Sequence, residues 1–348
     1  AQNIQKVRCV VGSTLFMTLI GGSFIAILGV IFSKDILLAL GTDPDVMHLS
    51  LPYVQWMLAG SPLLFVYIIY TSILRGVGDS ITPLIALGLT SLMGLFITPV
   101  LIAGYFGFPK MGIVAPAIAT IIGYFSVLVF LAIYLNKKNH PLKPDRALLT
   151  SIRHQPELSK IILRLGIPTG IQMVTTSVAG LVIVGLVNRY GSDATAAYGA
   201  VNQVLNYIQF PALSIAIAAS IFGAQAIGAG KAELLSRVTK TALGMNLMIT
   251  GSLVILAYLF SKYLMALFIT DPNVVKLGQQ LLFIVLWSIL FFGASAIFAS
   301  IMRSSGTVTV PMLINIFAIV LIEIPAAYFF SEWWGLQGIW YAYALAFV

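Results

Sequence analysis

The chain has 348 residues, of which 59% are hydrophobic and only 9% charged, with a mean hydropathy of +1.01. A soluble domain carries roughly 25% charged residues, so composition excludes a soluble globular protein. The net charge of +8 is explained below by where the basic residues fall along the chain, and it is not read as a nucleic-acid footprint.

Apolar runs of about 20 residues, enough to cross a ~30 Å hydrocarbon layer as helix, recur from end to end. They fall at 10–32, 49–73, 83–104, 112–135, 166–188, 195–222, 241–260, 277–302, 310–330 and 338–348. The runs are continuously apolar and do not alternate, which favours helices over a β-barrel. The predicted fold class is therefore an all-α membrane protein with ten visible spans.

With the amino terminus inside, fourteen of the nineteen basic residues lie on inner segments, among them Lys6, Arg8, Arg75, Lys231, Arg237, Lys240 and Arg303. Lys34, Lys110, Arg189, Lys262 and Lys276 lie outside. This bias sets the orientation. Acids such as Asp35, Asp43, Asp45 and Asp271 fall on the outer side. The stretch 136–165 is the one long polar segment, with seven basic residues, His140, His154 and three prolines. It is predicted to be a cytoplasmic connection with solvated histidines, because no cysteine or carboxylate cluster accompanies them to make a metal site. Cys9 is the only cysteine, so no intramolecular disulfide forms.

The chain also repeats itself. Phe32-Ser33-Lys34 recurs as Phe260-Ser261-Lys262, Thr42-Asp43-Pro44 as Thr270-Asp271-Pro272, and Arg75, Gly78 and Pro83 as Arg303, Gly306 and Pro311, all at a spacing of 228. Pro99 and Gly112-Ile113 match Pro325 and Gly338-Ile339 at a spacing of 226, which one two-residue deletion reconciles. A duplicated domain in a membrane protein points to a transporter with its substrate path between the halves. The expected domains are an amino-terminal lobe, 1–135, the linker 136–165, and a carboxyl-terminal lobe, 166–348. The first four runs match the last four, while residues 166–222 lack a partner, so their counterparts are expected before residue 1. The complete protein is then expected to have twelve spans in two homologous six-helix lobes, a parallel repeat about a pseudo-twofold axis along the membrane normal. On this reading the chain is a fragment that stops inside its last span.

Leu74-Arg75-Gly76-Val77-Gly78-Asp79-Ser80-Ile81-Thr82-Pro83 resembles the "LRGxGDxxxP" signature of the multidrug and toxic compound extrusion (MATE) transporters, and Met302-Arg303-Ser304-Ser305-Gly306-Thr307-Val308-Thr309-Val310-Pro311 is its weaker copy. Gly166-Ile167-Pro168 and Gln225-Ala226-Ile227-Gly228-Ala229-Gly230-Lys231 also fit that family. The resemblance covers the whole chain, from the family's third helix to the start of its twelfth. Physically, the motif reads as an architectural corner. Gly76 and Gly78 are expected to take positive φ, Asp79 to cap the next helix, Pro83 to sit in its first turn, and Arg75 to bond the carbonyls ending its own helix.

Of eleven acids, Glu323 alone lies well inside a span, with Pro325 just beyond it. An ionisable group in hydrocarbon persists only when paired, wetted or functional, so Glu323 is the candidate cation-coupling residue. The competing reading is a neutral carboxyl held by neighbouring helices. Tyr198, Asn202, Asn206 and Gln209 share one helical face, with Gln203 beside them, and Thr169, Gln172 and Thr176 share another. Asn315 sits about two turns before Glu323. These faces are expected to meet around Glu323, as a hydrated pocket or as hydrogen bonds that hold the bundle together. In the family, DinF-like members carry a coupling Asn and Asp where Gly94 and Thr98 stand here, and NorM-like members carry an acid where Thr176 stands. The family's remaining acid lies in its first helix, expected before residue 1, so the resemblance leaves two candidates for coupling: that acid or, in the visible sequence, Glu323 as its substitute. Trp56, Trp287, Met173, Met245, Phe291 and Phe292 suit either a pocket for flat cations or lipid contact, and Trp333 and Trp334 suit an interfacial anchor.

The reading implied by the resemblance is a secondary antiporter that exports small, cationic amphiphiles against H⁺ or Na⁺ by alternating access. It is expected to be a monomer in the cytoplasmic membrane, with the lipid bilayer as its surroundings, no nucleic-acid partner, no cofactor, no metal and no catalytic residue. No Gly-rich Lys-Ser/Thr nucleotide motif is visible. Alternatives are a lipid-linked oligosaccharide flippase of the same superfamily, or an intramembrane enzyme, which the spans give no nucleophile–base pair to support.

Overall fold

The computed structural model describes residues 4–39, 42, 44–152 and 155–347. Asp43, Arg153 and His154 of the sequence reading lie outside the described residues. Every regular element among the described residues is helical. The chain divides into two compact units, Ala1–Ile162 and Leu163–Val348.

In the first unit, α1 (Ile4–Ala39) packs against α2 (Pro44–Ala59) and α3 (Ser61–Gly76), and α4 (Ile81–Ala103) packs against α5 (Ala115–Lys137). α2 and α3 read as one span bent by 43°. Pro62 explains the bend, because its ring removes an N–H and crowds the carbonyl four residues earlier. Gly60 at the break lies against Ile121 of α5, where a Cβ would overlap that side chain. α4 ends on Gly104, which takes φ 74° and returns its N–H to the Val100 carbonyl, a left-handed cap that only glycine adopts without strain. Leu74, Leu131 and Leu135 form the centre of the core.

The polar segment after α5 is not the solvated connection that its composition suggests. Leu142 and Leu148 are each only 1% exposed and join the core of the first unit. The short helix α6 (Arg146–Ser151) packs on α1. Arg8 ties the segment down through Asp145 Oδ2 at 3.1 Å and the Pro141 carbonyl at 3.0 Å, and the Tyr70 hydroxyl donates to the Leu142 carbonyl. His140 is held too. Its Nδ1 accepts from the Leu142 N–H at 3.2 Å, and its Nε2 lies 3.9 Å from Asp79 Oδ2.

The second unit takes in most of α7 (Pro156–Asn188), α8 (Ser192–Gly228), α9 (Leu234–Ala266), α10 (Pro272–Val285), α11 (Ser288–Ser304), α12 (Thr309–Phe317), α13 (Ile324–Trp334) and α14 (Leu336–Ala346). α10 opens with Asp271 accepting from the Asn273 N–H at 2.7 Å, and Pro272 follows it, the cap and first-turn residues that helix starts favour. α10 and α11 form a second bent span, at 48°. Ser288 stands 228 residues after Gly60, so both bends fall at one place in the repeat. No proline makes the second bend; the buried Ser288 hydroxyl bonds back to the Val285 carbonyl at 2.7 Å. A second echo joins Gln55 Nε2 to Ser33 Oγ at 3.3 Å and Gln279 Nε2 to Ser261 Oγ at 2.9 Å, on serines that are themselves a repeat pair.

Seven of the described helices are long and apolar enough to cross a membrane, and nine spans result if each bent pair is one. The expected tenth run, 338–348, falls in α14, which is helical over 11 residues.

Candidate functional site

Glu323 ends a π-helical stretch, Ala318–Glu323, which joins α12 to α13 in one span. The cause is local. Pro325 cannot donate and crowds the preceding turn, and the helix answers with one wide turn, in which the Ile324 N–H reaches back to the Ile319 carbonyl. The extra residue re-aims Glu323, whose side chain is buried at 8% exposure. It is the one buried acid among the described residues, and none of their side chains donates it a hydrogen bond. Its polar surroundings are aromatic hydroxyls. Tyr198 of α8 and Tyr343 of α14 lie within electrostatic reach of the carboxyl.

These tyrosines belong to a cluster. Tyr198 packs on Trp340 with ring centroids 5.3 Å apart, and Trp340 meets Tyr343 at 6.0 Å. Gln209 is in hydrogen-bonding reach of the Tyr343 hydroxyl, and Asn202 Nδ2 donates to the Tyr198 carbonyl at 3.2 Å. Trp340 is 1% exposed, and its indole N–H has no partner among the described residues. Asn206 is exposed and Gln203 half-buried, and neither side chain makes a hydrogen bond among the described residues.

The α7 face goes elsewhere. Gln172 Oε1 accepts from Arg303 Nη2 at 3.0 Å, and Thr176 Oγ1 lies 3.5 Å from Asn315 Oδ1. Thr169 bonds only to the Leu165 carbonyl, at 3.0 Å. The expected single pocket is thus two polar groups. One has Tyr198 and Tyr343 near Glu323, with Asn202 and Gln209 against those tyrosines, and the other has Gln172 on Arg303 and, one turn along α7, Thr176 near Asn315. Asn315 precedes Glu323 by eight residues, about 12 Å along the helix. No hydrogen bond joins the groups among the described residues.

The signature corner behaves largely as its chemistry demands. Asp79 Oδ1 caps α4 by accepting from the Thr82 N–H at 3.0 Å, and Gly78 and Gly306 take φ of 99° and 84°. Pro83 and Pro311 are buried at the starts of α4 and α12. Two expectations are corrected. Gly76 has no positive φ, because α3 continues through it. Arg75 reaches Ser72 Oγ at 2.9 Å, a side chain and not a terminal carbonyl.

A family model described as MatE matches residues 1–100 and 168–329. The chain belongs to the MATE family. It is 42% identical to the "Probable multidrug resistance protein YoeA" of Bacillus subtilis (strain 168) over all of its own length and 75% of that relative. It is 29% identical to "Probable multidrug resistance protein YpnP" of the same organism over 92% of this chain and 70% of that one. A solved outward-facing structure of a multidrug resistance MATE family transporter of the MOP superfamily aligns with a TM-score of 0.88 at 21% identity, covering 97% of this chain and 75% of that chain. As a MATE transporter, this protein is an integral membrane protein.

Sequence reading of this MATE chain missed Trp340 and Tyr343. Their aromatic spacing on α14 is ordinary for a core helix. It also missed that Arg303, read as a corner residue, reaches α7.

Proposed function

We propose that this MATE protein is a secondary active exporter of organic, cationic amphiphiles, exchanging them for H⁺ or Na⁺ by alternating access, as a monomer and without a bound cofactor. The observation that carries the reading is Glu323, a carboxyl buried inside a span with two tyrosines in electrostatic reach and no basic partner among the described residues. Such a group is costly in hydrocarbon unless it serves a purpose. A carboxylate beside aromatic faces also suits a cation, whether a coupling ion or the charged part of a substrate. On this reading Glu323 takes up the coupling ion, Tyr198, Asn202 and Gln209 line its site, and Gln203 and Asn206 extend the same face. Gln172, Thr176 and Asn315 form a second polar station on the inner side. The names of the relatives, multidrug resistance proteins, support small-molecule efflux. Everted membrane vesicles containing the protein test this. Ethidium movement should respond to an imposed H⁺ gradient or an imposed Na⁺ gradient, and a response to neither would reject the antiport reading.

One observation favours a second reading. Arg303 is half-buried and has an amide, not an acid, as its partner, which would suit the anionic head of a lipid-linked substrate in a flippase of the same superfamily. Labelled lipid-linked oligosaccharide crossing proteoliposomes, with no ethidium movement, would support it.

A further inference from the structure

The inner-side halves of α8 and α9 enclose an open groove of about 620 Å³ in the second unit. Ala218 and Phe222 of α8 and Val238 and Met245 of α9 are among its walls, which are apolar except at Ser214, Thr241 and Arg237. The Ser214 hydroxyl is committed to the Phe210 carbonyl at 2.8 Å. From Leu234 to Met245 the groove follows α9 for about 16 Å at 1.5 Å per residue. That is close to one leaflet of a ~30 Å hydrocarbon layer.

Its polar end faces the cytoplasmic side, where α8 closes and α9 opens. Arg237 stands there, exposed, with no hydrogen bond or ion pair among the described residues; Lys231 and Lys240 flank it, and the exposed Glu233, which is outside the groove lining, stands one turn before it. An unpaired guanidinium at the membrane edge over an apolar trough one leaflet deep complements an anionic head joined to a hydrocarbon tail. The fork of N–H donors on Arg matches phosphate oxygens, and the cytoplasmic leaflet is the one that carries anionic lipids. An organic cation would meet Arg237 with like charge and find no carboxylate in the groove, which separates this feature from the site at Glu323.

We infer that the α8–α9 groove binds an anionic phospholipid of the cytoplasmic leaflet, with its phosphate on Arg237 and one acyl chain along Ala218, Val238 and Met245. The test is photolabelling of the whole protein in phosphatidylcholine vesicles that contain a photoreactive phosphatidylglycerol, with the labelled residues located by mass spectrometry. Label should concentrate on 214–245 and exceed that from photoreactive phosphatidylcholine. Arg237→Gln should reduce it about fivefold, the scale of one basic side chain against an anionic leaflet. Ala218→Trp, which fills the trough and keeps Arg237, should reduce it as well. Label spread evenly over the lipid-facing helices and unchanged in both variants would overturn the inference. So would displacement by ethidium, which would assign the groove to transported compounds, or by inorganic phosphate, which would make it a site for free anions.

Discussion

Arg303 Nη2 donates to Gln172 Oε1 across 3.0 Å, whereas its repeat partner Arg75 donates to Ser72 Oγ on its own helix at 2.9 Å. One motif position therefore does two jobs. In the second unit it ties α11 to α7, and in the first it stays on the surface of its helix. A hydrogen bond to a charged group contributes about 1.5–3 kcal/mol when desolvated, and Arg303 is half-buried. A double-mutant cycle of Arg303→Gln and Gln172→Ala, followed by thermal unfolding in detergent, should give a coupling of about 1–2 kcal/mol. Arg75 is half-buried as well, but its bond is exposed and stays within one helix, so Arg75→Gln should cost no more than about 0.5 kcal/mol. Equal costs for the two arginines would contradict the distinction.

Gly338 and its repeat partner Gly112 are glycines for different reasons. A Cβ on Gly338 would overlap the Phe330 carbonyl, which is backbone and cannot swing aside. Gly112 has open space but takes φ 51°. Gly338→Ala should therefore destabilise by about 1–3 kcal/mol through overpacking, and Gly112→Ala by about 1–2 kcal/mol through left-handed strain. Gly338→Ser should be at least as harmful as Gly338→Ala. Gly112→Asn should recover part of the loss, because Asn tolerates the left-handed region. Melting temperatures of the four variants check this.

Burial holds the His140 imidazole below its ordinary range; Asp79 opposes this and Lys138 adds to it. Asp79 is held below the usual carboxylate range: burial pushes it up, but the bonds from Thr82 and the charge on His140 outweigh that. For His140 the unfolded chain takes up a proton near pH ~6.5 while the folded chain does not. Its contribution is therefore present above that pH and is lost as pH falls through the lowered folded value. Protonation turns Nδ1 from acceptor to donor, so the Leu142 N–H loses its partner. The Leu142 amide should exchange faster once the pH falls through the lowered His140 value, after correction for intrinsic rates, and His140→Gln should remove that step. An unchanged pH profile in the variant would count against this reading of the turn.

Much of the architecture is legible in the sequence, because a membrane span announces itself by length and continuous apolarity. The repeat was legible as well, through Ser33 and Ser261 or Arg75 and Arg303. The bend at Ser288 was not, since Leu290 stands where the repeat would put a counterpart of Pro62, and a serine bonded to its own helix gives no sequence signal of a bend. The buried core around Leu142 was hidden by the prolines and lysines on either side of it. Helical spacing correctly put Gln172 and Thr176 on one face, but spacing says nothing about what a face meets, and it meets Arg303 and Asn315 instead of Glu323. Tyr343 could not be read from the Glu323 span at all, because α14 brings it there from further along the chain.

The central claim is that Glu323 takes up the coupling ion, and its most direct test is ethidium efflux in everted vesicles from Glu323→Gln compared with the unaltered protein, under separately imposed H⁺ and Na⁺ gradients. Gln keeps the size and the polar surroundings of the side chain and removes its charge. The account predicts that the unaltered protein responds to one of the two gradients, and that Glu323→Gln, inserted at equal level, loses that response. Efflux by Glu323→Gln at the unaltered rate under the same gradient would show Glu323 to be a structural carboxyl and would contradict the account.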